Sequence, residues 1–234
     1  MSNFWENELE PGYYDKVLSK GLESKKGIQT NWHNITLLTV QKHINDSDKH
    51  LDYACGPGTL IGKYLNADSM GVDIAKHQIK YAQNKYGEKG VFKNIEEFDF
   101  SNYNNHFDII TVLGLIEFLS DKEIEDLLSK AFLALKKGGR LIITTPNFNS
   151  FIFPVSEKFG LVNWSGEHKN KFNVKKITNL INNSSFTINK LDKILNFGML
   201  TSLLSIKLGL FLEQVLNSTL LKSQGFLLFV ELKK

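Results

Sequence analysis

The sequence predicts an α/β fold with a doubly wound, mostly parallel sheet, and three observations carry that prediction. Apolar runs of strand length alternate with segments of helical periodicity over most of the 234 residues. One run, Phe107–Leu113 (FDIITVL), is almost wholly apolar, as expected of a central parallel strand covered on both faces. The stretch Leu51-Asp52-Tyr53-Ala54-Cys55-Gly56-Pro57-Gly58-Thr59, with Gly71-Val72-Asp73-Ile74 after it, reads as strand, glycine turn, helix and a second strand ending in an acid. That order is a nucleotide-binding βαβ unit.

Residues 1–45 form an N-terminal helical cover rich in aromatic and polar residues, among them Trp5, Tyr13, Tyr14, Trp32 and His33. Asn31 stands where it caps a helix running to His43, with Ile35, Leu38 and Val40 on the apolar side. Lys49–Ala54 is strand one, Thr59–Leu65 a short helix and Ser69–Asp73 strand two. Ala75–Tyr86 is helical with Ile79 and Ala82 inward, and Val91–Asn94 is strand three. After FDIITVL, Asp121 opens a helix with Ile124, Leu127, Leu128, Ala131 and Leu135 at helical spacing. Gly138-Gly139 ends it and Arg140–Thr145 is strand five. From Pro146 to Lys171 the pattern breaks into aromatic, loop-like sequence. Asn173–Asn183 then reads as helix, Phe186–Leu191 as strand and Gly225–Leu232 as the last strand, with an apolar helical insertion over 194–224. No repeat or low-complexity linker divides the chain, so a single domain is expected.

Composition narrows the function classes. The chain is 42% hydrophobic with a net charge of +3, and no Lys/Arg block is interleaved with aromatics, so no nucleic-acid partner is expected. The single cysteine, Cys55, excludes an intramolecular disulfide, and no clustered ligand set asks for a metal. Met1–Glu6 has no basic region followed by an apolar run, so a cytoplasmic setting is expected.

The acid before the turn indicates the ligand. Asp52 sits where a dinucleotide fold places its pyrophosphate, and a carboxylate there repels phosphate while favouring a cation. S-adenosylmethionine (SAM) has no phosphate and carries an α-ammonium and a sulfonium, so these residues favour SAM over NAD. Gly56 and Gly58 let the backbone approach the ligand. The N–H groups opening the next helix face its carboxylate, and Asp73 accepts from ribose hydroxyls, a role shared with NAD folds. Gly56, Gly58 and Gly62 also make a loose dinucleotide pattern, so an NAD-dependent oxidoreductase is the rival enzyme. A non-catalytic SAM-binding interaction subunit is the rival without chemistry.

Taken in order, these motifs make the chain resemble the class I SAM-dependent methyltransferases that act on small molecules. LDYACGPGT and GVDIA stand as the first two motifs. Phe92–Phe98 aligns with the segment that holds adenine, with Asn94 where the family often has Asp. Phe107–Phe118 looks like the fourth motif, with Glu117-Phe118 in place of a frequent Glu-His pair. Lys136–Asn147 resembles the fifth-strand motif, and Glu167-His168 with Phe172 a later segment. The resemblance covers residues 49–193, the cofactor-binding core, plus the closing strand at 225–232. It implies one methyltransferase domain over 1–234, built on a Rossmann-like, seven-stranded sheet with its last strand antiparallel. SAM would lie at the carboxyl ends of strands one, two and four, giving S-adenosylhomocysteine (SAH) as product. Its contacts would be Asp52, Ala54, Cys55, Gly56 and Gly58 at the turn, then Asp73 and Ile74 after strand two. Asn94, Ile95 and Glu96 would hold adenine, and Leu113, Gly114 and Leu115 would form the floor.

Methyl transfer from a sulfonium is an in-line displacement on an already activated methyl, so the protein must chiefly align the acceptor and exclude water. A base is needed only where the acceptor loses a proton. The expected acceptor is a small molecule methylated at oxygen, with carbon the nearest variant. His168, in the irregular segment after strand five, is the first candidate base. His33 is the second and Glu117, at the end of strand four, the third. Tyr13, Tyr14, Trp32, Asn147 and Trp164 are candidate acceptor-site residues, and Cys55 is expected to be a buried wall rather than a nucleophile.

Met199–Leu212 (MLTSLLSIKLGLFL) carries one charge, Lys207, and is too short and interrupted to span a membrane. As one helix it would align Gly198, Ser202, Ser205, Gly209, Glu213 and Asn217 in a narrow small or polar stripe, the rest of the circumference being apolar. Residues 199–221 are expected to pack on the sheet, to meet a second copy, to form a greasy acceptor pocket as a lid, or to touch a membrane surface peripherally. The last two options would suit a bulky apolar or lipid-linked acceptor.

Overall fold

A computed structural model describes residues 4–151, 168–217 and 224–234. Its strands are β1 (Lys49–Tyr53), β2 (Asp68–Asp73), β3 (Val91–Asn94), β4 (Phe107–Leu113), β5 (Leu135–Pro146), β6 (Thr187–Ile194) and β7 (Leu227–Lys233). They form a seven-stranded sheet in the order β3-β2-β1-β4-β5-β7-β6. Neighbours among β1 to β5 are parallel, and β7 runs antiparallel to both β5 and β6. The expected architecture is therefore present. Its strand order reverses between β1 and β4, where an open α/β sheet leaves a crevice beyond the carboxyl ends of its strands.

The helices are α1 (Tyr13–Ser24), α2 (Ile28–Gln41), α3 (Thr59–Tyr64), α4 (Lys76–Tyr86), α5 (Asp121–Ala134), α6 (Val174–Asn182) and α7 (Ile206–Asn217). Local sequence explains α5 and α6 directly. A capping box of Ser120 and Glu123 starts α5, and Ile124, Leu127, Leu128 and Ala131 turn inward at helical spacing. Asn173 caps α6 by accepting from the Lys176 N–H. One apolar cluster fills the α5–α6 side of the sheet, and a second, containing Ile35, Val40, Ile109, Ile142 and Phe229, lies under α2 on the other side.

Three sequence expectations are corrected. Gly138-Gly139 does not end α5: the helix stops at Ala134, and Leu135 and the glycine pair already belong to β5. Asn31 does not cap α2: the helix begins three residues earlier, at Ile28, and Asn31 is fully buried inside it. Its side-chain amide donates to Ser202 Oγ at 2.6 Å, so a distant contact claims the residue that a local rule assigned to a cap. The apolar segment is not one helix either. A 3₁₀ turn over Phe197–Leu203 doubles back against α7. A Cβ on Gly198 would sit 2.5 Å from the Glu213 backbone nitrogen, and one on Gly209 would sit 2.1 Å from Ser202 Oγ. The small and polar residues of the expected stripe are thus the contact surface between two short elements.

The N-terminal cover is latched to the βαβ unit by a buried acid. Asp15 is fully buried and accepts from the Tyr81 and Tyr86 hydroxyls, each at 2.8 Å, and from Lys85 Nζ at 2.5 Å. Burial alone would raise its pKa. The hydrogen bonds from Lys85, Tyr81 and Tyr86 and the charge of Lys63 outweigh that and hold it below the ordinary value.

The close approach at Gly209 is testable. Gly209→Ala would place a methyl against Ser202 and Asn31 and is expected to cost about 1–3 kcal/mol by overpacking. Urea unfolding would report this, and an unchanged midpoint would contradict the packing described.

Candidate active site

The glycine turn is held at the carboxyl end of β1 from beneath. The N–H groups of Ala54 and Cys55 both donate to the Val72 carbonyl, at 2.8 and 3.0 Å, which keeps Ala54 at a φ of 68° that L side chains rarely adopt. Gly56 has a φ of 52°, and a Cβ there would meet nothing within 4 Å, so this glycine faces open space. Gly58 does a different job. Its absent Cβ would lie 2.5 Å from the Phe92 ring, so the glycine lets β3 pack against the turn and is not a point of ligand approach. The N–H of Gly56 donates to Asp73 Oδ2 at 2.8 Å and that of Gly58 to the Cys55 carbonyl at 3.0 Å. The N–H groups of Gly56 and Gly58 are thus both engaged within the protein, while the helix opened by Thr59 starts beside them.

These elements border a cavity of about 740 Å³, within the range of small-molecule sites. Asp52, Ala54, Cys55, Gly56, Asp73 and Ile74 form one wall, and Leu113, Gly114 and Leu115 another. Tyr14, Trp32 and His33 close it from the cover, and Glu117 and His168 line the far side. Sequence reasoning missed several lining residues. Trp5 and Phe118 meet edge-on with ring centroids 5.5 Å apart, and Phe118 stacks on His168 at 4.9 Å, forming an aromatic bridge over the opening. Gln78 also lines the cavity while fixing the cover: its Oε1 accepts from the Gly12 N–H at 2.8 Å, and its Nε2 donates to the Glu10 carbonyl at 3.0 Å. The aromatic content of residues 1–45 was the one sequence signal for these contacts.

Other expected site residues are placed elsewhere. The Asn94 amide donates to the Asp73 and Ile74 carbonyls, at 3.1 and 2.9 Å, and its oxygen accepts from the Glu96 N–H at 3.2 Å. Asn94 therefore braces the loop after β2. Ile95 packs against the α5-side core, and Glu96 pairs with Lys76 at 2.6 Å in the open. Tyr13 packs on Tyr14 outside the cavity. Asn147 is buried away from it and donates from its side chain to the Gly225 carbonyl at 2.8 Å, tying the end of β5 to the approach to β7. Residues 194–217 contribute nothing to the cavity lining, so the pocket-forming lid is corrected among the described residues. Trp164 lies outside the described residues.

Electrostatically the cavity is acidic. Burial pushes the Asp52 carboxyl up to about 7, against the pull of the Thr111 hydroxyl bonded to it at 2.7 Å, with the Asp73 charge adding to the rise. Burial also raises Asp73, against the N–H groups of Ala75 and Gly56 and the charge of His77. Among the described residues no cation pairs with Asp52, so a cationic ligand would relieve it. Glu117 is raised to about 7 by burial, against its backbone bond and the Thr145 hydroxyl that donates to Oε2 at 3.0 Å. Burial lowers His33 to about 4, so it is neutral at pH 7 and a weak base. Cys55 is pushed well above its usual value, first by burial and then by Asp52 and Asp73, which leaves it an unreactive wall. Among the described residues no group of three or more His, Cys, Asp or Glu is set to hold a metal.

The Glu117 shift has a stability consequence. Its folded pKa of about 7 lies above the ordinary 4.5. Between those values the folded protein keeps a proton that the unfolded chain releases, so stability falls as pH rises through the window. From about pH 4 to about pH 8 the wild type should lose on the order of 3 kcal/mol more than Glu117→Gln. Parallel pH-stability curves for the two proteins would refute the shift.

Residues 51–139 match the family described as a methyltransferase domain. An uncharacterised protein of Methanocaldococcus jannaschii is 29% identical over 151 residues, covering 64% of this chain and 53% of the relative. The match thus spans about half of that relative's length. A SAM-dependent methyltransferase from Archaeoglobus fulgidus superposes with a TM-score of 0.60 at 18% identity, covering 86% of this chain and 94% of that one. Magnesium protoporphyrin IX methyltransferase from Synechocystis, solved with SAH bound, gives 0.59 at 16% identity, covering 88% and 85%. At these identities the structural likenesses establish the fold.

Proposed function

We propose that this protein, whose residues 51–139 match a methyltransferase-domain model and whose fold is that of SAM-dependent methyltransferases, methylates a hydroxyl group on a bulky, largely apolar small molecule. The observation that carries the proposal is that Asp73 and the open Gly56 turn share one cavity with Glu117. A ribose-binding acid and a carboxyl that titrates near neutral pH thus face the same space. The walls are mostly aromatic and aliphatic, which favours an apolar acceptor and excludes water from the reacting atoms.

SAM, when bound, supplies a methyl group activated by its sulfonium. The protein's own residues bind, orient and move a proton. Asp73 accepts from the ribose hydroxyls with lone pairs left over from Gly56 and Ala75, and Ile74, 45% exposed, offers an apolar surface to adenine. Asp52 is the counter-charge for the ligand ammonium. Tyr14, Trp32 and Phe118 enclose the acceptor, whose hydroxyl proton passes to Glu117, the catalytic residue of this proposal. The Thr145 hydroxyl fixes Glu117 Oε2, leaving the other oxygen to the acceptor. His168, stacked on Phe118 and edge-on to Phe148, positions that aromatic edge. A lipid-linked acceptor is one form of the same apolar class.

Calorimetry tests the cofactor half. SAM and SAH should bind, and Asp73→Ala should lower their affinity tenfold or more, as loss of charged hydrogen bonds would (about 1.5–3 kcal/mol). Binding of NADH instead of SAM would establish an oxidoreductase. The acceptor half is tested by Glu117→Gln on a panel of hydroxyl-bearing apolar compounds. The variant should keep SAM affinity, lose about 10²–10⁴ in kcat, and lose the acidic limb of the pH–rate profile near pH 7. Full turnover by the variant would remove Glu117 as base, and tight SAM binding with no turnover across the panel would indicate a binding subunit.

A further inference from the structure

The Phe197–Leu203 turn and α7 carry apolar residues on both faces. Inward, Met199 and Ile206 are buried together with the small and polar Gly198, Ser202, Gly209 and Glu213, and Glu213 accepts from the Asn196 backbone N–H at 2.5 Å. A second set of large apolar residues faces solvent. Leu203 is 61% exposed, Leu204 70%, Leu208 40% and Phe211 60%. A surface helix in water normally carries polar residues on its outer side, so this apolar face is built to be covered.

The rim of the face is cationic. The Ile206 N–H donates to the Lys25 carbonyl at 2.9 Å, and the Gly27 N–H donates to the Ser202 carbonyl at 2.8 Å. These bonds bring the α1–α2 turn, with exposed Lys25 and Lys26 and the nearby Leu22, to the same edge as exposed Lys207. Over residues 194–217 the only charges are Lys207 and the buried Glu213, and Glu23 is the only acid of the adjoining turn. A two-fold dimer through this face would bring three lysines of each copy towards their own images with one acid a side to offset them. An anionic lipid surface satisfies both features: acyl chains take the leucines and phenylalanine, and headgroup phosphates take the lysines.

We infer that the Phe197–Leu203 turn and α7 dock this protein onto anionic lipid bilayers as an interfacial element. No described helix is long and apolar enough to cross a membrane, so the contact is peripheral. Since α2 packs on this element through Asn31 and Ser202 and lines the cavity through Trp32 and His33, docking would set the cavity beside the bilayer.

Co-sedimentation of the full chain with vesicles tests this. Vesicles of equal parts phosphatidylcholine and phosphatidylglycerol should bind it, and phosphatidylcholine alone should bind it far more weakly. Leu204→Ser with Phe211→Ser should abolish binding while leaving thermal stability unchanged, because both side chains already face solvent. Replacing Lys25, Lys26 and Lys207 by Gln should weaken it about fivefold per lysine and remove its salt dependence. No vesicle binding, or binding indifferent to the Leu204/Phe211 variant, would overturn the inference. So would a dimer in ultracentrifugation that this variant dissociates without any lipid binding, which would assign the face to a second copy.

Discussion

The candidate site depends on the Asp73 carboxylate. One of its oxygens accepts from the Gly56 N–H and the other from the Ala75 N–H, both at 2.8 Å. The first bond ties the end of β2 to the glycine turn beyond β1, and the second starts the loop leading into α4. Parallel pairing sets these two strand ends side by side, with Tyr53 opposite Val72. The acid then fixes where the turn lies, and the turn decides which backbone atoms border the cavity. Two short bonds from N–H groups explain how a half-buried carboxylate is tolerated there.

Around that centre, buried polar groups act in chains. On the α2 side of the sheet, Ser69, His50, Thr111 and Asp52 are linked in series across β2, β1 and β4. Burial holds His50 neutral, near pKa 3, so one ring nitrogen donates and the other accepts in its bonds with Ser69 and Thr111. Asp15 plays the matching part for the N-terminal cover. It gathers Tyr81, Tyr86, Lys85 and Thr59 from two different helices, so one side chain aligns α1 over the βαβ unit and Tyr14 over the cavity.

The Phe197–Leu203 turn and α7 follow the opposite logic. Close backbone approach holds the two elements to each other, while Met199 and Ile206 are buried and Phe197, Leu200 and Leu210 pack on the α2-side core. Gly198 and Gly209 leave room for Glu213 and Ser202, and the Glu213 carboxylate supplies acceptors to the N–H groups that open the 3₁₀ turn. Burial raises the Glu213 pKa against those bonds. Leu203, Leu204 and Leu208 stand on the outer side.

By itself the sequence determined the sheet and brought together most of one wall of the cavity. Strand and helix periods are local properties, and Asp52, Gly56, Asp73 and Leu113–Leu115 sit at strand ends, which topology carries to one edge. The α5 and α6 caps are local as well, because capping bonds span three residues. Tertiary structure alone decided the rest. Asn31, Asn94 and Asn147 each carry an amide that serves equally as cap, ligand contact or brace, and only the three-dimensional neighbours select the brace. Gly56 and Gly58 read alike in sequence, yet one faces the cavity and the other Phe92. The closure of the cavity by Trp5, Phe118 and Gln78 rests on contacts between residues far apart in the chain, and no local pattern records a long-range contact.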